Sequence, residues 1–274
     1  MYVVATPLGN LADLTPRARD TLAAVDVIAA EDTRHSRRLL DAFGIRTRLV
    51  AVHQHNEQAA AGQVLGWLEA GRHVALITDA GTPAISDPGA RLVARAREAG
   101  HPVVPLPGAC AAVTALSVAG IAEGGWRFVG FLPARAAARR AALAALTQAR
   151  DALLFYEAPH RVRACVADMA AAFGGERVVF IARELTKLHE ELAALPLAGA
   201  GAWFDAEPNR VRGEFVLIVH GARASESEGL SAEAQRVLEL LLAELPLKRA
   251  VRLAADITGA GRNGLYSHAL ARRQ

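Results

Sequence analysis

Apolar and polar positions along this chain follow two alternating rhythms. Short aliphatic runs at Tyr2–Ala5, Val27–Ala30, Leu49–Val52, Val74–Thr78 and Pro102–Leu106 read as buried strands. Between them lie longer mixed stretches bounded by helix punctuation. Thr15-Pro16 starts one helix by capping, Asp32 or Thr33 caps a second that stops before Gly44, and a third reaches Gly71. Ser86-Asp87-Pro88-Gly89 predicts a fourth helix, with Asp87 as N-cap, Pro88 in the first helical position and Gly100 closing it. The rhythm resumes with strands at Phe128–Leu132, Ala152–Tyr156, Val178–Ala182 and within Gly213–Gly221. Helices are expected near Arg135–Arg150 and up to Phe173. This alternation predicts an α/β fold, a mostly parallel sheet with helices on its faces.

After the last strand the pattern changes. ARASESEG, Ala222–Gly229, has linker composition. Ser231 is placed to cap an amphipathic helix over Ala232–Leu245. Two more helices, Leu247–Thr258 and Asn263–Arg272, flank Gly259-Ala260-Gly261, the outline of a helix-turn-helix. Charge singles out the same region. The chain carries a formal +3, but Pro246–Gln274 holds six cations against Asp256 alone, a net +5 that leaves the remainder at −2. A basic end on a nearly neutral body points to nucleic acid, the alternative being a small bundle with a solvated basic face.

Composition narrows the chemistry by exclusion. At 274 residues the chain suffices for two packed domains and a small appendage. No apolar run approaches membrane-spanning length, and MYVVATPLGN is too short and uncharged for a signal peptide. The two cysteines, Cys110 and Cys165, are far apart and lack metal spacing, which suits a reducing cytoplasm. There is no G-x-G-x-x-G after the first strand, no G-x-x-x-x-G-K-[ST] and no Gly-x-Ser-x-Gly. Dinucleotide-binding, P-loop and serine-hydrolase readings therefore lack their fingerprints. His53 and His55 would share one face of an extended segment, but no third ligand lies nearby and no metal is expected. What remains is a set of polar clusters where strands end: Thr6–Asn10, Glu31–Arg34, His53–Asn56, Asp79–Asp87, Pro107–Ala112, Tyr156–Arg161 and Arg183–Glu191. Parallel strands gather their carboxyl ends along one edge, where open α/β sheets bind ligands.

The residues in these clusters are specific. TPLGNLADLT, EDTRHSRRLL, LITDAGTPAISDPG, PLPGACAAVTAL, FYEAPHR, ELTKLHEE and GEFVLIV, in this order, resemble the ribosomal RNA small subunit methyltransferase I family. That family belongs to the tetrapyrrole methylase superfamily, the class III S-adenosylmethionine (SAM) methyltransferases. LPLKRAVRLAADITGAGRNGLYSHAL resembles its small helical RNA-binding domain, so the likeness covers nearly the whole chain. The resemblance implies two α/β domains, residues 1–107 and 108–222, with SAM in the cleft between them, and a helix-turn-helix-like RNA-binding domain over 229–274. Implied cofactor contacts are Pro7, Leu8 and Gly9, then Asp79 and Gly81 at the amino-acid part of SAM, with Ser86 and Asp87 on the same wall. Cys110 and Ala111 replace a threonine-serine pair common in the tetrapyrrole branch, so backbone contact is expected there. Tyr156 would pack on the cofactor, Glu214 and Phe215 would border adenine, and Arg183 is a further candidate.

By the same resemblance the reaction is 2′-O-methylation of a cytidine in the decoding region of 16S rRNA, within the 30S subunit. The enzyme would be a cytoplasmic homodimer that releases S-adenosylhomocysteine and needs no metal. A ribose hydroxyl is a poor acid, so a nearby base should take its proton as the bond forms. Glu31, Asp32 and Glu157 are candidates, and Lys187 joins them if burial depresses its pKa. Asp32 is favoured, although a capping aspartate would look the same. Arg34 and Arg161 suit a phosphate or a bidentate carboxylate partner. Expected RNA contacts are His53, His55, Asn56 and Arg161, and in the tail Lys248, Arg249, Arg252, Arg262 and Asn263. Two alternatives stand beside this reading: methylation of a tetrapyrrole precursor, and a SAM-binding, RNA-associated protein without catalysis.

Overall fold

The computed structural model describes residues 1–52, 57–122, 124–222 and 230–271, which form two compact units, one ending at Ala222 and one beginning at Leu230. The first unit opens with β1 (Tyr2–Val4), α1 (Pro16–Ala24), β2 (Val27–Ala30), α2 (Thr33–Ala42) and β3 (Arg48–Ala51). It continues through α3 (Glu57–Glu69), β4 (Val74–Ile77), α4 (Ala90–Glu98) and β5 (Val104–Leu106). The five strands make an all-parallel sheet in the order β3-β2-β4-β1-β5. β2 and β4 are buried on both faces, which is why they read as unbroken apolar runs. One face packs Ile28, Ala75 and Ile77 against Leu22 of α1 and Leu40 of α2. The other packs Ala29 and Leu76 against Val64 of α3 and Leu92 of α4. Thr15 caps α1 as expected, accepting the Ala18 N–H at 3.1 Å.

The next elements are α5 (Ala111–Val118), β6 (Trp126–Phe131), α6 (Ala136–Ala144), β7 (Ala152–Glu157) and α7 (Val162–Phe173). β8 (Val178–Arg183), β9 (Glu191–Pro196), α8 (Leu197–Ala206) and β10 (Phe215–Val219) follow. Their strands form a second sheet in the order β6-β7-β10-β8-β9. Here the expectation of mostly parallel pairing fails. β6 and β7 run parallel, but β10 lies antiparallel between β7 and β8, and β9 is antiparallel to β8. The loop 184–190 is too short for a crossover, so β9 must return beside β8. The run FVLIV signals burial on both faces but carries no information about direction. α6, α7 and α8 cover one face of this sheet around Phe155, Leu217 and Phe204; α5 covers the other over Leu154 and Ile218.

In the second unit α9 (Ala232–Glu244), α10 (Leu247–Thr258) and α11 (Arg262–Ala271) pack around Leu238, Val251 and Leu265. Ser231 caps α9, accepting the Ala234 N–H at 3.1 Å. Lys248, Arg249 and Arg252 are exposed on one side of α10, away from buried Ala250, Val251 and Ala254. Arg262 and Asn263 are exposed where α11 begins, and Arg262 pairs with Asp256 at 3.3 Å.

Candidate active site

The loops following β1, β2, β4 and β5 meet the α5-covered face of the second sheet around a cleft of about 390 Å³. That size suits a small-molecule ligand. The rim is cross-linked by the protein itself. Thr6 and Gly81 exchange two backbone hydrogen bonds at 2.9 Å, Thr6 Oγ1 donates to the Thr78 carbonyl at 3.1 Å, and Thr82 Oγ1 donates to the Ala109 carbonyl at 2.8 Å. Three strand-end loops therefore hold one another in place.

One wall of the cleft is acidic. The buried Thr78 hydroxyl donates to Glu31 Oε2 at 2.7 Å, and Asp79 Oδ1 accepts the Asp32 N–H at 3.2 Å. Burial raises the Asp79 pKa; the Asp32 N–H opposes this and the Glu31 charge adds to it. Asp87 is pushed up to about 6, first by burial and then by Glu31, with Asp79 and Glu214 contributing and a Thr78 hydrogen bond opposing. The facing wall is aromatic. Tyr156 meets Phe128 and Phe131 edge-on, with ring centroids 5.0 and 5.7 Å away. A bulge between Phe128 and Gly130 sets Phe131 opposite Tyr156 and leaves both phenylalanines on one face. The Ala112 N–H donates to Tyr156 Oη at 3.1 Å, and burial raises the phenol pKa, so it stays neutral. Carboxylates across from aromatic rings suit an organic cation with a flat apolar portion.

Comparison with known proteins agrees with this architecture. Residues 1–200 match the family described as Tetrapyrrole (Corrin/Porphyrin) Methylases, and residues 228–273 match the RsmI C-terminal HTH domain. Ribosomal RNA small subunit methyltransferase I of Pseudomonas aeruginosa is 53% identical over 274 residues, covering 100% of this chain and 97% of its own. The Escherichia coli O157:H7 protein of that name is 52% identical over 270 residues, covering 98% and 94%. The chain belongs to the ribosomal RNA small subunit methyltransferase I family. Solved structures show the shared fold at lower identity. The methyltransferase CobJ has a TM-score of 0.60 at 20% identity, covering 81% of this chain and 93% of that one. Uroporphyrin-III-C-methyltransferase from Thermus thermophilus has 0.56 at 20%, covering 80% and 93%.

In this member of the family the cleft gathers most of the expected cofactor contacts. Leu8 after β1 and Asp79, Gly81, Ser86 and Asp87 after β4 line it, as do Cys110 and Ala111 after β5 and Tyr156, Glu214 and Phe215 of the second sheet and its edges; Glu31 and Glu157 line it too. Pro7 and Gly9 fall outside the lining. Gly9 lies under the stem of Lys187, so close that a Cβ there would collide with Lys187 Cγ. Lys187 is no depressed amine: burial would lower its pKa, but the carboxylates of Glu184 and Glu214, each 2.8 Å from Nζ, outweigh that and raise it.

The favoured base, Asp32, is also corrected. It caps α2, with Oδ1 accepting the Arg34 N–H at 2.8 Å and the His35 N–H at 3.4 Å. The Arg34 N–H, then the Arg34 guanidinium, hold its carboxyl below the usual range, a poor setting for a proton acceptor. Arg34 stands 90% exposed outside the lining, and its carboxylate partner is Asp32. Glu157 reaches the cleft, but its carboxylate is buried against Arg161 at 3.1 Å and the Ala158 N–H at 2.8 Å. Arg161 is correspondingly engaged, donating to the Leu132 carbonyl at 2.6 Å, rather than presented to a phosphate. Arg183 is buried at the end of β8, donating to the carbonyls of Arg212 at 2.7 Å and His189 at 3.2 Å; it fastens loops and stays outside the cleft lining.

Asp87 does not cap α4, which begins at Ala90 behind Gly89 and has no side-chain cap. His53, His55 and Asn56 lie outside the described residues. Among the residues that shape the cleft and that the sequence reading did not single out are Thr78, buried behind the lining, and Phe131, within it. Thr78 was counted as the end of a strand, though a hydroxyl closing a buried aliphatic run signals a polar partner. Phe131 was hidden because a bulge resets strand alternation, a break marked in the sequence by Gly130, which has φ 74°.

Proposed function

We propose that this protein methylates the 2′-oxygen of a cytidine ribose in the decoding region of 16S rRNA, using SAM. The observation that carries the proposal is coverage. The curated rRNA methyltransferases match essentially the full chain, helical C-terminal region included, whereas the structures of uroporphyrin-III-C-methyltransferase and the methyltransferase CobJ reach about 80% of it. The cleft supports the cofactor assignment, because a sulfonium nucleoside is an organic cation with a flat base. Asp79, Asp87 and Glu31 would face its positive groups, and Tyr156 and Phe131 its apolar part. When bound, SAM supplies a methyl group already activated by the positive sulfur, so the protein's task is placement and proton management. Holding the sugar oxygen in line with the methyl group lowers the barrier by up to roughly ten kcal/mol. The exposed cations of α10 and α11, Lys248, Arg249, Arg252 and Arg262, together with Asn263, would engage the RNA backbone, a contact that weakens as salt rises. The assembled 30S subunit as substrate, a homodimer and a cytoplasmic setting complete the reading.

Incubation with methyl-labelled SAM and 30S subunits lacking the modification tests it. Label is expected in 16S rRNA at a ribose that becomes resistant to alkaline cleavage. Label entering a porphyrinogen and not RNA would overturn the proposal, as would SAM binding without transfer. Removing residues 229–274 should weaken RNA binding and flatten its salt dependence while leaving SAM affinity nearly intact, measured by filter binding and calorimetry. Unchanged RNA affinity would refute the role given to the tail.

A further inference from the structure

The turn between β4 and α4 presents a carboxylate that the fold keeps from the usual partners. Asp87 lines the cleft but caps no helix. Just before it, Ala84 and Ser86 both adopt the left-handed region, at φ 68°, an unfavourable conformation for residues with a Cβ. Just after it, Gly89 has φ 122°, and a Cβ there would come within 2.7 Å of Leu76 Cδ2 in the core. The turn is thus strained on one side of Asp87 and wedged against the sheet on the other, and strain of this kind gathers where a side chain must be aimed.

The groups facing Asp87 are Glu31 after β2, Thr78 and Asp79 at the end of β4, Glu214 before β10, and Tyr156 on β7. Glu31 accepts a hydrogen bond from the Thr78 hydroxyl at 2.7 Å, Asp79 accepts one from the Asp32 N–H at 3.2 Å, and Glu214 has Lys187 at 2.8 Å. Each of the other three carboxylates therefore has a donor, while Asp87 shares with Glu31 a hydroxyl that has one proton to give. The alternatives are engaged elsewhere: Asp32 with the start of α2, Glu157 with Arg161, and Lys187 with two carboxylates.

We infer that Asp87 is the general base, taking the proton of the ribose 2′-hydroxyl as that oxygen attacks the methyl carbon. This rests on the rRNA-methylation reading above. The O2′–CH3 bond forms while the S–CH3 bond breaks, and the bonding pair stays on sulfur to leave a neutral thioether. The proton passes to a carboxylate oxygen of Asp87 and, after product release, to water. A burial-raised pKa near 6 leaves this group ionised at neutral pH yet more basic than an ordinary aspartate, as proton transfer requires.

The test compares full-length wild type, Asp87→Asn and Asp87→Glu on 30S subunits with saturating SAM. At pH 8 and saturating SAM, Asp87→Asn should lower kcat by about 10²–10⁴-fold, a loss at least about tenfold larger than any rise in the calorimetric Kd for SAM. Asp87→Glu should recover at least roughly tenfold over the asparagine variant. Wild-type kcat/KM for SAM should fall below pH ~6 with a one-proton slope, a limb that disappears in Asp87→Asn. Glu31→Gln should move that limb to lower pH by removing a neighbouring negative charge. An asparagine variant with wild-type kcat, one that retains the limb, or one whose loss is wholly in SAM affinity would overturn the inference. If Asp87→Asn fails to fold, the Glu31→Gln limb decides: an unmoved midpoint counts against Asp87. Absence of transfer by wild type would instead defeat the underlying reading, so the two failures are distinguishable.

Discussion

The β2–α2 and β4–α4 junctions begin alike and end differently. Each follows a parallel strand buried on both faces, each carries an aspartate, and each leads into a helix. At β2–α2 the helix starts directly after Asp32, whose carboxylate accepts two of its leading N–H groups and is held acidic. At β4–α4 the chain makes a left-handed turn through Ala84 and Ser86, the helix starts at Ala90, and Asp87 is left at the cleft with a pKa of about 6. The lesson is that an aspartate preceding a helix has two physical fates. Two or three residues of displacement decide between a group that stabilises the fold and one that is available for chemistry.

That contrast can be broken most forcefully at Gly89. Gly89→Ala combines an unfavourable φ with contact against Leu76, and should destabilise by about 2–5 kcal/mol in urea unfolding while weakening SAM affinity. A loss below roughly 0.5 kcal/mol would mean that the turn adapts and does not fix Asp87. The next effect separates the two aspartates. Asp32→Ala should lower the melting midpoint by roughly 2–4 °C through loss of the cap, with SAM affinity retained. A fall in kcat like that expected for Asp87→Asn would reverse the assignment.

Asp87→Asn should act on stability in the opposite sense. A carboxyl whose pKa is raised on folding contributes stability below its unfolded value near 3.8, and that contribution is lost as pH rises through about 6. The cofactor-free asparagine variant should therefore melt roughly 1–3 °C above wild type at pH 8, with the gain vanishing near pH 4. A lower midpoint at pH 8 would show Asp87 to be a structural partner. Smallest of all, Arg34→Ala removes an exposed ion pair and should shift the midpoint by less than roughly 1 °C. A larger fall would mean that this pair, and not the backbone donors, anchors Asp32.

Much of this molecule was legible before any coordinates. The aliphatic runs located nine of the ten strands among the described residues, most plainly β2, β4 and β10, which are covered on both faces and so apolar throughout. Thr15, Asp32 and Ser231 were identifiable as caps, because orphan N–H groups at a helix start select short oxygen-bearing side chains. The motif order pointed to the family, and the clustering of polar residues at strand ends pointed to the cleft. β9 was missed: ELAALP alternates between half-buried and exposed positions on a sheet edge and holds no β-branched or aromatic residue to mark it as a strand. The direction of β10 was also invisible, since an all-buried strand looks the same whichever way it runs.

Local sequence determined which segments became helix or strand, because propensity, capping and apolar periodicity act over a few residues. Beyond local pairs such as Asp32–Arg34 and Glu157–Arg161, tertiary structure decided which charges were neutralised. Arg161 and Arg183 seemed suited to ligands until folding brought the carbonyls of Leu132 and Arg212, each 29 residues away, to meet them. Lys187 met Glu214 in the same way, and Asp87 was left beside other carboxylates from separate strands. Ionisation depends on neighbours in space and on exclusion of water, and neither is a property of adjacent residues.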